Sequence, residues 1–214
     1  MKKSFLLVII AAFSIFILTS CSKKNDASPA ALPDYSHLIT GSSWTYKSTE
    51  NTTSKNYTLT VTSKDTTANQ KTYKVLSSSD GGPNSYISKV DNNYYRFVSY
   101  PALGINSFEE LYLKSNEALN ATWANQASLT FMGTPLTVNL KYTIKAKDES
   151  RTVLTKAYNK VMYVRLDISV FGATAGGGDF YYAEGVGLIE SSILIPPPFG
   201  PYSLKQELVS SDLK

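Results

Sequence analysis

The sequence predicts an all-β fold in which antiparallel strands form a barrel-like or strongly curved sheet. Three observations lead to this prediction. Apolar and polar residues alternate with a period of two in several short runs, and polar, turn-forming residues separate these runs. Tyrosine, with 15 copies among 214 residues, and the abundant threonine and serine favour strands and polar turns over helices.

Alternating runs follow one another from Trp44 towards the C-terminus. The clearest is residues 57–62, in which tyrosine, leucine and valine alternate with threonines. Runs with the same period occupy residues 138–146, 161–170, 180–189 and 202–209. Because a period of two places every second side chain on the same face of a sheet, we expect each run to be a strand with one buried face.

Two polar segments are predicted to be turns. Residues 65–70 follow the run at 57–62, and residues 91–93, which read Asp-Asn-Asn, have the composition of a hairpin turn. Residues 108–114 could begin a helix, but their two leucines alternate with other residues as in a strand. We favour the strand.

A pattern of aromatic residues recurs in the two halves of the chain. The matching residues, in order, are Trp44, Tyr57, Tyr73 and Tyr94-Tyr95, and then Trp123, Tyr142, Tyr158 and Tyr181-Tyr182. Partners are 85 positions apart for Tyr57 and Tyr73 and 87 apart for Tyr94. Chance alignment in a tyrosine-rich chain is the alternative. If the repeat is real, residues 41–100 and 120–190 are two pseudo-repeated meanders of about four strands each, closing around one core.

The N-terminus has the features of a secretory signal in the usual order: two lysines, an apolar stretch at residues 5–18, and small residues before the single cysteine. A membrane-spanning helix needs about 20 apolar residues, so this stretch is short. Leu18-Thr19-Ser20-Cys21 resembles the lipobox of bacterial lipoproteins. The resemblance implies cleavage between Ser20 and Cys21, and a diacylglycerol on Cys21, usually with an N-acyl chain such as palmitate. An uncleaved membrane anchor and a plain cleaved signal are the alternatives.

The residues after Cys21 bear on the membrane that the chain would reach. In the enteric sorting rule an aspartate at the next position retains a lipoprotein in the inner membrane, and this chain has Ser22 there. The resemblance therefore implies the outer membrane. Surface-exported lipoproteins of Bacteroidota-like bacteria often carry an acidic cluster here, whereas this chain reads Lys23-Lys24-Asn25-Asp26. We therefore expect the periplasmic face rather than the cell surface.

The chain divides into three predicted segments. Residues 1–20 are the signal peptide, residues 21–36 are the lipidated cysteine with a flexible, polar tether, and residues 37–214 are the all-β domain. Loss of the two lysines in the signal peptide lowers the formal net charge from +4 to +2. Because the charges form no basic stripe, we expect no nucleic-acid partner. The expected partner is the membrane, through Cys21, and the sequence identifies no protein partner.

The sequence offers little for catalysis or metal binding. A single histidine, His37, cannot build a histidine metal site, and no Gly-x-Ser-x-Gly elbow is present. Neighbouring carboxylates such as Glu109-Glu110 point to opposite faces of a strand. Carboxylates that are distant from one another in the sequence, Asp167, Asp179 and Glu184, could converge in the fold and catalyse hydrolysis. We predict no catalytic residue, no metal and no cofactor.

Residues 181–190, which read YYAEGVGLIE, form the most pattern-like segment. They resemble a phrase common in uncharacterised cell-envelope lipoproteins of β-rich design, a resemblance that implies no activity. Gly185 and Gly187 predict a bulge or a tight bend. A phosphate-binding loop would need a lysine and a following helix, and the sequence predicts neither. Further on, residues 193–195 are predicted to be a last core strand. The alternative is that residues 195–199 form a stiff apolar loop that covers a cavity or contacts a partner.

The two tyrosine pairs are the candidate ligand-binding residues. Neighbouring residues of a strand face opposite ways, so Tyr94-Tyr95 and Tyr181-Tyr182 each place one ring on each face of the sheet. Tyrosine rings line clefts for glycans and for hydrophobic ligands, although they also fill cores. The predicted function is a non-catalytic domain that binds a hydrophobic or glycan ligand. The alternatives are a scaffold that docks other envelope proteins and, less favoured, a hydrolase that uses carboxylates.

Overall fold

A computed structural model of the chain describes residues 34–100, 105–131, 134–198 and 201–214. The predicted signal peptide, the lipidation site Cys21 and the tether as far as residue 33 lie outside these ranges. The predictions of cleavage at Ser20–Cys21 and of lipidation therefore stay predictions.

The described part of the chain contains twelve strands and no helix. The strands are β1 (Ser43–Glu50), β2 (Thr53–Ala68), β3 (Lys71–Ser78), β4 (Ser85–Val90), β5 (Asn93–Tyr100), β6 (Ile105–Lys114), β7 (Thr122–Phe131), β8 (Thr134–Val153), β9 (Lys156–Val170), β10 (Ala173–Ala183), β11 (Gly187–Ile195) and β12 (Tyr202–Asp212). Within the described ranges, no helix is long and apolar enough to cross a membrane.

All twelve strands belong to one antiparallel sheet made of two meanders. Strands β1 to β6 pair in sequence order, β7 to β12 do the same, and β1 pairs with β12 to join the two halves. The sheet is barrel-shaped and nearly closed. The predicted fold class is therefore confirmed, with six strands in each half instead of about four.

The seam of the barrel lies between β6 and β7, the two ends of the sheet order. Side chains of β7 bond here to the backbone of Leu111 in β6. The indole N–H of Trp123 donates to the Leu111 carbonyl at 2.8 Å, and the side-chain amide of Asn125 both accepts from the Leu111 N–H and donates to its carbonyl, each at 3.1 Å. The Asn125 side chain thus takes the place of a neighbouring strand's backbone and satisfies the N–H and C=O groups of Leu111 at the edge of the sheet.

Replacing Asn125 by alanine is expected to loosen this seam. The Leu111 amide loses its acceptor, so the free energy of unfolding should fall by about 1–2 kcal/mol. Hydrogen exchange at the Leu111 amide should become about tenfold faster. The control is Gln126→Ala, which alters an exposed neighbour bonded to Asn139 and should leave this exchange unchanged. Unaltered protection of Leu111 in Asn125→Ala would contradict the assigned closure.

The aromatic repeat is matched by the strands for three of its four landmarks. Trp44 and Trp123 lie in the first strand of each half, Tyr57 and Tyr142 in the second, and Tyr73 and Tyr158 in the third. The last landmark does not correspond, because Tyr94 lies in the fifth strand of its half and Tyr181 in the fourth of the other.

The predicted turn at residues 65–70 is wrong over most of its length. Asp65 to Ala68 belong to β2 and pair with Lys71 to Lys74, and the turn consists of Asn69 and Gln70, both with positive φ. Two consecutive residues with positive φ form a two-residue hairpin turn whose backbone twist matches that of the two strands it connects. The predicted hairpin turn near residue 91 is confirmed, with Asp91 at a φ of 54° between β4 and β5. Residues 108–114 are confirmed as strand, within β6.

The run at residues 180–189 is not one strand. It comprises the end of β10, a turn at 184–186 and the start of β11, and the positive φ of Gly185 (73°) and Gly187 (106°) confirms the predicted tight bend. Residues 193–195 end β11, which is not the last strand, since β12 follows. Within them Ile195 is buried and Leu194 is exposed. The covering loop predicted as an alternative at 195–199 includes a residue outside the described ranges.

Two clusters of buried side chains fill the interior. The larger is built around β8, β9 and β10, where alternate residues from Val164 to Val170 face inward. The smaller includes Trp44, Tyr46 and Ile189 and draws on both meanders. The two clusters leave a space between them, which is the candidate site.

Candidate functional site

A cavity of about 240 Å³ lies between the two buried clusters. Aromatic rings form much of its wall: Tyr35, Trp44, Tyr46, Tyr57, Tyr86, Phe97, Tyr112 and Tyr182. Ser85, Tyr86 and Phe97 are half-buried and mark the more exposed side, whereas Tyr46, Tyr112 and Tyr182 are buried and form the inner end. We call this space the interior cavity. A concave pocket lined by aromatic rings and a few polar groups is the usual form of a small-molecule site.

The first described residues of the chain close one side of the interior cavity. Tyr35 and Ser36 line it, and Tyr35 is only 3% exposed. The Tyr94 hydroxyl accepts from the Tyr35 N–H at 3.2 Å, and the Gly185 N–H donates to the Asp34 carbonyl at 2.6 Å. Lys89 forms an ion pair with the Asp34 carboxylate at 3.2 Å. The end of the predicted tether therefore packs against the domain, and its last two residues, Tyr35 and Ser36, are part of the cavity wall.

Several polar groups of the wall are bonded to the protein. The Tyr46 hydroxyl donates to the Leu188 carbonyl at 2.9 Å, and the indole N–H of Trp44 donates to the Val186 carbonyl at 2.8 Å. The side-chain amide of Gln206 donates to the Tyr57 hydroxyl at 2.5 Å. These bonds fix the orientation of the rings, so the wall is formed before any ligand arrives.

Two tyrosine hydroxyls at the inner end differ from these. Within the described residues, the hydroxyls of Tyr112 and Tyr182 have no hydrogen-bond partner, although the two side chains are buried and line the cavity. Their rings lie 5.7 Å apart. Burial raises the pKa of both hydroxyls well above the usual value for tyrosine, so both are protonated donors at neutral pH.

β-Bulges lie beside both of these tyrosines. In the pairing of β5 with β6, Tyr94 faces Leu113 and Tyr95 faces Leu111, which leaves Tyr112 as the extra residue. In the pairing of β10 with β11, the register shifts between Tyr181 and Tyr182. A bulge redirects a side chain relative to regular alternation and is frequent next to functional sites.

The charged residue of the cavity wall is Arg96, which is paired in the interior. Its Nε donates to the Glu110 carboxylate at 2.5 Å, and the Glu110 side chain is fully buried. Tyr142 also donates its hydroxyl proton to Glu110. The guanidinium carbon lies 5.1 Å from the centre of the Tyr112 ring. The ion pair cancels the formal charge at the inner end of the cavity.

Alkaline pH is expected to destabilise the domain through the tyrosines of the wall. Burial raises the pKa of Tyr35 and of Tyr57 to about 12, whereas tyrosine in an unfolded chain has a pKa of about 10. The folded protein retains phenolic protons that the unfolded chain releases. Stability is therefore full below about pH 10 and decreases as the pH rises towards about 12. Urea titrations across this range measure the decrease, and Tyr57→Phe should reduce it. A stability that stays constant to pH 12 would contradict this prediction.

The four tyrosines predicted to bind a ligand are not brought together. Tyr182 lines the interior cavity, whereas Tyr94 is buried in the larger cluster and its hydroxyl accepts a hydrogen bond from the Tyr35 N–H. Tyr95 lies under the Lys71 ammonium, and Tyr181 stacks on Tyr163 at 4.7 Å. In each pair one ring is buried and the other is half-buried, as the alternation predicted.

The candidate carboxylates do not converge on a cleft. Arg165 lies between Asp167 and Asp179 and pairs with both, at 3.2 and 3.1 Å. Glu184 lies in the turn after β10 and pairs with Lys160. Glu109 and Glu110 bind different partners, Lys71 and Arg96. No group of three or more metal-binding side chains occurs among the described residues.

A wider groove of about 570 Å³ lies on the glycine-rich part of β10. Gly176, Gly177 and Gly178 line it, together with Arg165 and Asp179. These two charged residues pair with one another. The interior cavity is the stronger candidate, because two buried tyrosines whose hydroxyls bond to no described residue line it.

Compared with models of known protein families and with curated proteins, the chain has no match. Three solved structures are similar to it. One is a provisionally assigned lipoprotein from Parabacteroides distasonis, with a TM-score of 0.46 and 14% identity, over 85% of this chain and 99% of that one. Another is a provisionally assigned exported protein with a YmcC-like fold from Bacteroides fragilis, with a TM-score of 0.47 and 11% identity, over 85% and 98% of the two chains. The hypothetical lipoprotein YmcC from Escherichia coli has a TM-score of 0.39 and 8% identity, over 81% and 86%.

Proposed function

We propose that this protein is a lipid-anchored protein of the cell envelope whose β domain binds a small hydrophobic or glycan ligand without transforming it. The observation that carries the proposal is an aromatic-lined cavity whose wall includes the buried residues Tyr112 and Tyr182, two tyrosines whose hydroxyls bond to no described residue. Buried polar groups are nearly always hydrogen-bonded in folded proteins. A bound molecule supplies the missing partners.

A binding role also fits the charges around the cavity. A carboxylate-dependent hydrolase needs two carboxylates across a gap from each other. Here Glu110 is engaged by Arg96 and Tyr142, and the carboxylates of Asp167 and Asp179 are held by Arg165. Because these carboxylates are engaged by neighbouring side chains, the contacts favour binding of a ligand over its hydrolysis.

The anchor is proposed from the sequence. The lipobox-like Leu18-Thr19-Ser20-Cys21 would place the lipid on Cys21, and Ser22 favours the outer membrane, with the domain on the periplasmic face. Two or more acyl chains hold a protein stably on a membrane.

Cys21→Ser is expected to abolish acylation of the protein. The variant keeps the apolar stretch but lacks the thiol that would carry the diacylglycerol. Membrane fractionation should find wild-type protein in the outer membrane, with an intact mass that includes acyl chains, and the variant without them. Ser22→Ala is the matched control and should remain acylated. An unacylated wild-type protein would contradict the anchor.

Blocking the mouth of the interior cavity tests the binding role. Ser85 is half-buried and lines the cavity, and we expect a tryptophan at this position to occupy part of the cavity and to obstruct binding. Wild-type protein, Ser85→Trp and the exposed-site control Ser63→Trp are purified from the host envelope, checked for folding by circular dichroism and extracted with organic solvent. We expect the same small molecule from wild type and Ser63→Trp and its loss from Ser85→Trp. Folded samples that all release nothing would favour the scaffold role instead.

A further inference from the structure

We propose that the ligand of the interior cavity is a neutral sugar ring, the terminal residue of a glycan, and not an acyl chain or an anion. This inference rests on the proposed binding function and narrows its ligand class. Four features of the cavity support it: the unpartnered hydroxyls of its wall, the cancelled charge of its wall, its half-buried aromatic rings and its volume.

The unpartnered hydroxyls argue against an acyl chain. Tyr112 and Tyr182 are 5% and 2% exposed, and both line the inner end of the cavity. A hydrocarbon chain placed against them would keep both hydroxyls from water and give them nothing to bond, which is unfavourable. A ring that carries several hydroxyl groups offers acceptors to both. Ser36 and Gln206 line the same space and add polar atoms around it.

The charge of the wall argues against an anion. Arg96 is the cation at the cavity, and its Nε is bonded to the buried carboxylate of Glu110 at 2.5 Å. An anionic ligand beside Arg96 would also lie near Glu110 and would be repelled by it. A neutral ligand meets an ion pair of zero net charge.

The rings and the size of the cavity argue for a single sugar ring. Tyr86 and Phe97 meet edge to face at 6.3 Å and are half-buried at the exposed side. The face of an aromatic ring carries negative charge density and attracts the C–H groups of a sugar. A volume of about 240 Å³ is below the ~300–1,000 Å³ of sites for drug-sized molecules. One ring therefore fits inside, and the rest of a glycan would leave past Ser85.

The experiment compares three probe classes by ligand-observed NMR on the full-length lipidated protein in nanodiscs. The probes are the neutral sugars galactose, fucose and N-acetylglucosamine, the anionic sugar glucuronate, and the acyl chain laurate. Only signals that Ser85→Trp abolishes are counted, which removes binding to the nanodisc lipid. We expect at least one neutral sugar to bind, and glucuronate and laurate not to bind.

Three hydroxyl deletions make the test specific. Tyr112→Phe and Tyr182→Phe each remove one cavity hydroxyl and should weaken sugar binding about three- to tenfold. Tyr158→Phe is the control, because it removes a hydroxyl that is buried without a partner in a residue that does not line the interior cavity. It should bind the sugar as wild type does.

Other outcomes separate this inference from the proposed function. If laurate binds in the cavity, and binds more tightly to Tyr112→Phe, the assignment of a sugar ligand is wrong, whereas the proposed binding of a small ligand stands. If glucuronate is the one probe that binds, the inference that the ligand is neutral is wrong. If no probe binds while the host-purified protein releases a molecule that is not a glycan, the sugar assignment is wrong and the binding role stands. If that protein also releases nothing, both fail.

Discussion

Replacing Arg96 by methionine is expected to lower the free energy of unfolding by about 3–5 kcal/mol, the cost of leaving a buried charge without its counter-ion. The Glu110 side chain is fully buried, and Arg96 is its ion-pair partner at 2.5 Å. Methionine retains the length of the side chain and removes the charge. Urea denaturation of the full-length protein measures the loss.

A double variant separates the charge effect from lost packing. Arg96→Met combined with Glu110→Gln removes both charges and should recover much of the stability. Arg165→Met is the matched control. Its ion pair with Asp179 is partly exposed, so the loss should be within about 1 kcal/mol. Equal stabilities for the single and the double variant would contradict a charge-paired interior.

Replacing Gly178 by alanine is expected to cost about 3 kcal/mol, at the upper end for overpacking of a buried site. A Cβ atom at this position would lie 2.5 Å from the Ser192 carbonyl oxygen and 3.2 Å from the Phe180 ring. The oxygen belongs to the backbone of β11, so two paired strands would have to separate. Phe180 also contacts Arg96, so the strain would extend towards the cavity.

Gly82→Ala provides the comparison for Gly178. A Cβ at Gly82 would approach only the flexible Asp80 side chain, at 3.0 Å, and the loop is exposed. We expect a change within about 0.5 kcal/mol there. Thermal unfolding of both variants gives the difference, and an equally small effect at Gly178 would contradict the tight approach of β10 to β11.

The fold class could be predicted from the sequence because alternation is a local property. Each strand with one buried face carries its own period of two, so the runs at 57–62 and 161–170 are recognisable alone. The position of a turn depends on competition between neighbours. Asp65 to Ala68 look polar enough for a loop, but pairing with β3 places them in a strand and moves the turn to Asn69-Gln70. The seam at Leu111 depends on which strands end the sheet, which no local pattern shows.

The candidate site was only partly predictable. The sequence pointed to tyrosines, and one of the four chosen, Tyr182, lines the interior cavity. Tyr112 was missed, although it lies two residues after the buried Glu110 and shares its face of the strand. Arg96 and Glu110 did leave a signal. Each charge is flanked at two positions on either side by apolar or aromatic residues. Opposite charges on the inward faces of two consecutive strands indicate a buried pair.

Native mass spectrometry of the wild-type protein, purified from its own host envelope, tests the central claim most directly. We expect a folded protein that carries one additional small molecule, with a mass that corresponds to a glycan. This molecule should be lost on denaturation and absent from folded Ser85→Trp. A folded wild-type protein found only at its bare, acylated mass would contradict the claim that the interior cavity holds a ligand.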